Sequence, residues 1–163
     1  MPATVEHEST VHLTGPAAGD LRMLMRYRSG DPYAVRLVFL DPDEPDTPDA
    51  PDGRGAQDGR AAGEGRAAED GAVTWWLGRE LLTVGLARPC GTGDVAVRPL
   101  TAELLELSFA APGGAAVVHV STRALQTFLR ATYALVPAGS ETARLAVPDD
   151  LSVLFESSGE NPW

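Results

Sequence analysis

Lysine is missing from this chain altogether; all 13 basic residues are arginine. That absence excludes Schiff-base chemistry on a lysine amine and the P-loop, whose lysine reaches the phosphates. Together with the abundant alanine and glycine it points to a GC-rich genome, which is a statement about composition and not about function. Cysteine is almost missing too. Cys90 is alone, so no internal disulfide can form, which suits a reducing compartment. No stretch approaches the roughly 20 apolar residues that a membrane span needs. Met1 to Thr10 is polar, carries Glu6 and Glu8, and lacks the apolar core of a signal peptide. The expectation is a soluble, cytoplasmic protein.

Catalytic and metal-binding signatures are equally scarce. There is no Gly-x-Ser-x-Gly elbow, so a hydrolase triad has no support. His7, His12 and His119 do not form a ligand spacing, and Cys90 has no soft-ligand companion. His7 and His12, five apart in a strand, point to opposite faces. Glu103 and Glu106 are read as lying on opposite faces of one strand, which argues against a carboxylate pair. Beside Cys90 only Arg88 would lower the thiol pKa, so a structural role is expected. Gly91-Thr92-Gly93-Asp94 leads into a strand instead of out of one and has no lysine, so it reads as a tight turn, not a phosphate cradle. No catalytic residue, metal or cofactor is expected.

What is present is enough for one domain. The chain has 163 residues, 44% of them hydrophobic, which can bury a real core. Its formal charge of -10 is unevenly spread. Residues 41–72 hold ten acids and three arginines, a charge of -7, which leaves -3 for everything else. The folded part is nearly neutral.

Periodicity predicts three antiparallel strands first. Val11 and Leu13 alternate with polar neighbours. Leu21, Met23, Met25 and Tyr27 form one face of the next strand; Arg22, Leu24, Arg26 and Arg28 form the other. After a Ser29-Gly30-Asp31-Pro32 turn, Tyr33, Val35, Leu37 and Phe39 are expected inward and Ala34, Arg36, Val38 and Leu40 outward. Residues 41–72 then change character. Pro42, Pro45, Pro48 and Pro51 fall at every third position, the period of polyproline II. A six-residue repeat follows at Asp52-Gly53-Arg54, Asp58-Gly59-Arg60 and Glu64-Gly65-Arg66, without the aliphatic residues a solenoid stacks. The segment reads as a disordered acidic insert, a Pro-rich docking ligand being the functional alternative. Order resumes with a strand at Val73-Thr74-Trp75-Trp76 and a short helix from Gly78 to Leu86, packing through Leu81, Leu82 and Gly85. A strand at Val95 to Val97 and a hairpin of Leu104 to Phe109 with Ala116 to Val120 come next. Ser121 is expected to cap a helix bearing Leu125, Phe128, Leu129 and Thr132 on one stripe. Asp149 or Asp150 would cap a terminal helix with Leu151, Leu154 and Phe155. The organisation is then residues 1–40 and 73–157 as two halves of one α+β domain, interrupted by 41–72 and followed by a flexible tail, 158–163.

Several of these pieces resemble the SsgA-like proteins, which control sporulation-specific cell division in filamentous actinomycetes. They are Asp31-Pro32-Tyr33-Ala34-Val35, Trp76 followed by Gly78-Arg79-Glu80-Leu81-Leu82, Gly85-Leu86-x-x-Pro89, Gly91-x-Gly93-Asp94-Val95-x-Val97-x-Pro99, and Arg123-Ala124-Leu125-x-x-Phe128-Leu129. The resemblance covers nearly all the chain except the insert. It implies twisted antiparallel sheets with packed helices, similar to the Whirly-type nucleic-acid binders, and a homotrimer. It also implies a non-enzymatic regulator concentrated at division septa, whose partners are the tubulin-like division protein or a related family member. Trp76 is expected to be buried. The long insert, Cys90 and the segment past Phe155 depart from the family pattern.

The candidate partner-binding residues are Arg22, Arg26, Arg28 and Arg36, which cluster if the second and third strands pair, and the turn Gly91, Gly93 and Asp94. Leu24, Val38 and Leu40 share the arginine face, and apolar residues among arginines suit a protein interface. The alternative is a solvated face. Single-stranded nucleic-acid binding would want aromatics interleaved with those arginines; Tyr27, Tyr33 and Phe39 fall on the other side, so nucleic acid is not among the expected partners, and a single-stranded nucleic-acid-binding module of Whirly-like fold stands as the alternative function on fold analogy alone.

Overall fold

The computed structural model describes residues 2–43, the backbone of 66–67, and 72–144. In chain order the elements are β1 (Thr4–Leu13), β2 (Gly19–Arg28), β3 (Asp31–Leu40), β4 (Arg66–Ala67), β5 (Val73–Gly78), α1 (Arg79–Gly85), β6 (Val95–Pro99), β7 (Leu104–Ala111), β8 (Gly114–Ser121) and α2 (Thr122–Leu135), then a 3-10 turn at Thr142–Arg144. The strands form one antiparallel sheet in the order β4-β5-β3-β2-β1-β8-β7-β6. A single curled sheet thus replaces the expected plural sheets. The proposed terminal helix and most of the acidic insert lie outside the described residues; of the insert, Arg66 and Ala67 pair with Thr74 and Val73.

Strict alternation explains why β2 and β3 have one buried face. Met23, Met25, Val35 and Leu37 are 0% exposed and Tyr27 is 1% exposed. Each such side chain contributes roughly 1.5–3 kcal/mol by leaving water. The sheet curls enough for its two ends to meet across the core. Phe39 of β3 and Trp75 of β5 place their rings 5.4 and 4.8 Å from Phe109 of β7. Between β1 and β8 the ladder is short: only His12↔His119 and Leu13↔Val118 pair. The helix α2 packs against both strands there, with Leu125, Phe128, Leu129 and Thr132 buried on one stripe. Ser121 caps it as expected, its hydroxyl accepting from the Ala124 amide at 3.4 Å. The smaller helix α1 reaches β6 because Gly85 has no side chain; a Cβ there would stand 2.6 Å from the Cβ of Val97, so the contact tolerates nothing larger.

Four local expectations need correction. The β2–β3 turn is shorter than Ser29–Pro32, since Asp31 and Pro32 already belong to β3. Tyr33 is 48% exposed instead of inward. It precedes Ala34↔Gly78, the last β3–β5 pair, and so projects past the core to bond the Thr142 hydroxyl at 2.9 Å. Trp76 is 47% exposed while Trp75 is 5% exposed; it stands between two inward residues, and a pleated strand turns it out. Glu103 precedes β7 instead of sharing its faces with Glu106.

Candidate partner-binding face

The outward rows of β1, β2, β3 and β5 are set by register. Glu6, Arg26, Arg36 and Trp76 are aligned across the four strands; Glu8, Leu24, Val38 and Thr74 form the next row, and Thr10, Arg22 and Leu40 the third. The sheet therefore does gather Arg22, Arg26, Arg28 and Arg36 on one face. Arg26 and Arg36 are directly opposite each other, a pairing that costs energy for like charges. Carboxylates from β1 offset it. Glu6 Oε1 lies 3.0 Å from Arg26 Nε. Arg22 makes a two-pronged bond to Glu8, at 3.1 and 3.0 Å. On the other side the Arg36 guanidinium lies 5.8 Å from the centroid of the Trp76 ring. Arg26, Arg28, Asp31, Ala34, Arg36 and Trp76 line a hollow of about 230 Å³.

The apolar part of this face differs from expectation. Val38 and Leu40, expected as exposed interface residues, are 7% and 9% exposed. The large exposed apolar side chain is Trp76. The alternation of Trp75, Trp76 and Leu77 was the signal that places it there; the family pattern pointed the other way.

The second candidate group does not join the first. Gly91, Gly93 and Asp94 open β6, at the opposite edge of the strand order from β3 and β5. Gly91 has φ +99, and a Cβ on it would meet the Ala96 Cα at 2.8 Å, so a glycine is required there by backbone geometry.

Sequence reasoning assigned no role to Arg79, and the fold gives it a large one. It is 2% exposed. Its Nη1 lies within hydrogen-bonding distance of the Tyr27 hydroxyl (3.1 Å) and of the carbonyl oxygens of Thr132 (3.2 Å) and Val136 (2.8 Å), and its Nη2 donates to Glu141 at 2.6 Å. The Tyr133 ring stacks 4.1 Å away. The carbonyls at the end of α2 carry the negative end of the helix dipole, a favourable seat for a cation. Glu141 is held below the usual carboxylate range, first by its own backbone N–H and then by the Arg79 guanidinium, against the opposing pull of burial. Burial pushes the Tyr27 phenol up, with Arg79 opposing it. These bonds join β2, α1 and α2.

Other reactive residue types are also engaged structurally. Cys90 donates its thiol to the Leu81 carbonyl at 3.2 Å, and burial raises its pKa more than Arg88 lowers it. His12 and His119 are neighbours across β1 and β8, which their sequence separation concealed. Each has its own carboxylate: Asp20 at 3.0 Å from His12, and Glu106 at 3.7 Å from His119. Among the described residues no group of three or more His, Cys, Asp or Glu side chains is placed to hold a metal. No described helix is long and apolar enough to cross a membrane.

Residues 62–141 match the family model described as Streptomyces sporulation and cell division protein, SsgA. The sporulation-specific cell division protein SsgB of Salinispora tropica is 34% identical over 151 residues, 90% of this chain and 89% of that protein. This chain belongs to the SsgA-like family. SsgB of Streptomyces coelicolor is 31% identical, over 82% of this chain and 81% of that protein. Solved SsgA-like structures share the fold. One, described as an SsgA-like sporulation-specific cell division protein from Thermobifida fusca YX-ER1, superposes with a TM-score of 0.65 at 28% identity, covering 95% of each chain. Another, described by the words "Mutations in SsgB correlate to longitudinal cell division during sporulation of Streptomyces coelicolor", gives a TM-score of 0.66 at 30% identity, over 89% of this chain and 98% of that one. An SsgA-like protein with a role in sporulation cell division is what these likenesses establish.

Proposed function

We propose that this SsgA-like chain is a non-enzymatic regulator of sporulation-specific septum formation that works by binding proteins of the division or septal cell-wall machinery. The carrying observation is the outward face on which Arg22, Arg26, Arg28 and Arg36 are brought into register beside an exposed tryptophan. Arginine and tryptophan are the residues enriched where protein interfaces hold most of their energy. The reactive types Cys90, Arg79 and the paired histidines are tied into structural bonds, which supports a binding role over a catalytic one. In this reading the protein is cytoplasmic, gathers at septa, and assembles as a homotrimer of Whirly-like subunits. Its partner is the tubulin-like division protein or a related family member, and the turn at Gly91, Gly93 and Asp94 is a second surface for it. The decisive test is deletion of the gene in a sporulating host. Failed septation or spore maturation is the expected phenotype; normal sporulation would sink the reading. Light scattering tests the trimer.

Trp76 beside Arg36 gives a second reading some footing, because single-stranded nucleic-acid binders interleave aromatics with cations. It predicts an affinity that falls steeply with salt. An absence of any gel shift at low salt removes it.

A further inference from the structure

A groove of about 520 Å³ lies between the start of β3, the helix α1 and the C-terminal end of α2. That is within the roughly 300–1,000 Å³ of ordinary binding clefts. Its lining residues all fall within 32–141, and none comes from the outward arginine row. Most of its polar groups are already engaged. Arg79 is 2% exposed, with its guanidinium bonded to Glu141 at 2.6 Å. The Tyr133 hydroxyl shares a 2.8 Å hydrogen bond with that of Thr83, and the Tyr33 hydroxyl one of 2.9 Å with that of Thr142. These bonds fix both rings before anything binds, which lowers the ordering cost of binding. Glu80 is different. It is exposed, and among the described residues it enters no ion pair. Arg79 contributes +1 to the lining, and Glu80 and Glu141 contribute -1 each, so the groove carries -1. The Tyr33 ring is 48% exposed. An open aromatic face and an uncompensated carboxylate in one groove are a seat for a cation.

On the reading that the chain acts by binding proteins, we propose that this groove takes an arginine side chain presented by a partner protein. The incoming guanidinium lies against the Tyr33 ring and is held by the Glu80 carboxylate. Apolar neighbours of that arginine rest on Pro32, Val84 and Ala138. Arginine suits the groove better than lysine, because its planar, weakly hydrated head stacks on aromatic faces. Arg79 already stacks in this way on the Tyr133 ring, at 4.1 Å. Nucleic acid fits poorly, since its phosphates would have to pass Glu80 and Glu141. The chain's own last segment does not bring the cation: residues 145–163 hold four acids and no basic residue.

The test uses the full-length chain and a short fluorescein-labelled peptide carrying one arginine between proline and leucine. Counterparts with citrulline or lysine at that position serve as comparison probes. Fluorescence anisotropy should show saturable binding that is tightest for the arginine peptide. Glu80→Gln should weaken it about five-fold, the scale of one exposed charge pair. Tyr33→Leu should weaken it about three-fold, as loss of an exposed cation–π contact does. Glu103→Gln, just before β7, should change nothing. Asp58→Asn should change nothing either, and it guards against capture of the peptide by the acidic segment. Equal binding of the citrulline or lysine peptide, equal weakening by Asp58→Asn, indifference to Glu80→Gln, or no saturable binding each overturns the proposal. Tighter binding after Arg54→Gln with Arg60→Gln would make the chain's own arginines the occupant, which also overturns it. A parallel capture from sporulating cells separates the two levels of inference. If the native chain retains division proteins and a Glu80→Gln, Tyr33→Leu double variant retains them equally, protein binding stands and the groove falls. If the native chain retains none, both fall.

Discussion

Arg79 and Arg36 stand on the two sides of the same β3–β5 pair, and they illustrate two different uses of one side chain. Arg79 is sealed in, bonded to a phenol, two main-chain carbonyls and a carboxylate, and stacked on Tyr133. Such a charge has been taken from water and is fully occupied by the fold; its removal exposes a structural debt and changes no surface. Arg36 lies half-buried on the outward face against an exposed indole, where water still reaches the partners. Its removal alters what the surface can hold more than whether the chain folds. The lesson is that burial with satisfied partners separates a structural arginine from a recognition arginine, although Arg79 sits within a segment that carries the family resemblance and Arg36 directly follows one.

That contrast can be broken by experiment. The largest effect should come from Arg79→Met, which leaves Glu141 without its cation and the buried carbonyls of Thr132 and Val136 without their donor; each buried acceptor left unsatisfied costs about 1–3 kcal/mol, read as a shift in the urea midpoint. A loss no greater than that of an outward arginine would erase the distinction.

Acid titration sharpens it next. The folded Glu141 carboxyl is held below its unfolded value, so its contribution is fully present above the ordinary glutamate pKa of about 4.3. That contribution is lost as the pH falls through the lowered folded value. Glu141→Gln should therefore flatten this part of the stability–pH curve and destabilise the chain near neutrality. An unchanged acid limb would show that the carboxylate does not hold Arg79.

Smaller effects are expected outside. Arg36→Ala, which removes the contact with Trp76, should cost about 1 kcal/mol, the central value for point substitutions, while altering partner capture. A large drop in melting temperature would show that Arg36 too is structural. The least effect should follow removal of residues 43–70, which takes only the two-residue edge strand β4 from the sheet, since closing a loop costs only about 0.6 kcal/mol per doubling of length. A marked fall in melting temperature there would make the acidic segment part of the packed domain.

Much of this was visible in residue order because local periodicity sufficed for it. Alternation in β2 and β3 separated Met23, Met25 and Leu37 from the arginines. Ser121 and the stripe Leu125, Phe128, Leu129 and Thr132 announced α2. The same period-two rule misjudged Tyr33, because the pleat gives direction but not where the covering layer ends.

The sequence by itself determined the near-neutral domain with its acidic interruption, the alternating faces and the family. Tertiary structure alone decided which arginine is buried, that His12 meets His119, that Trp76 joins the arginine row, and that Gly85 must stay small against Val97. The physical reason is range. Side-chain direction follows from the pleat or turn of a few residues, whereas desolvation and charge pairing depend on atoms brought together from distant parts of the chain.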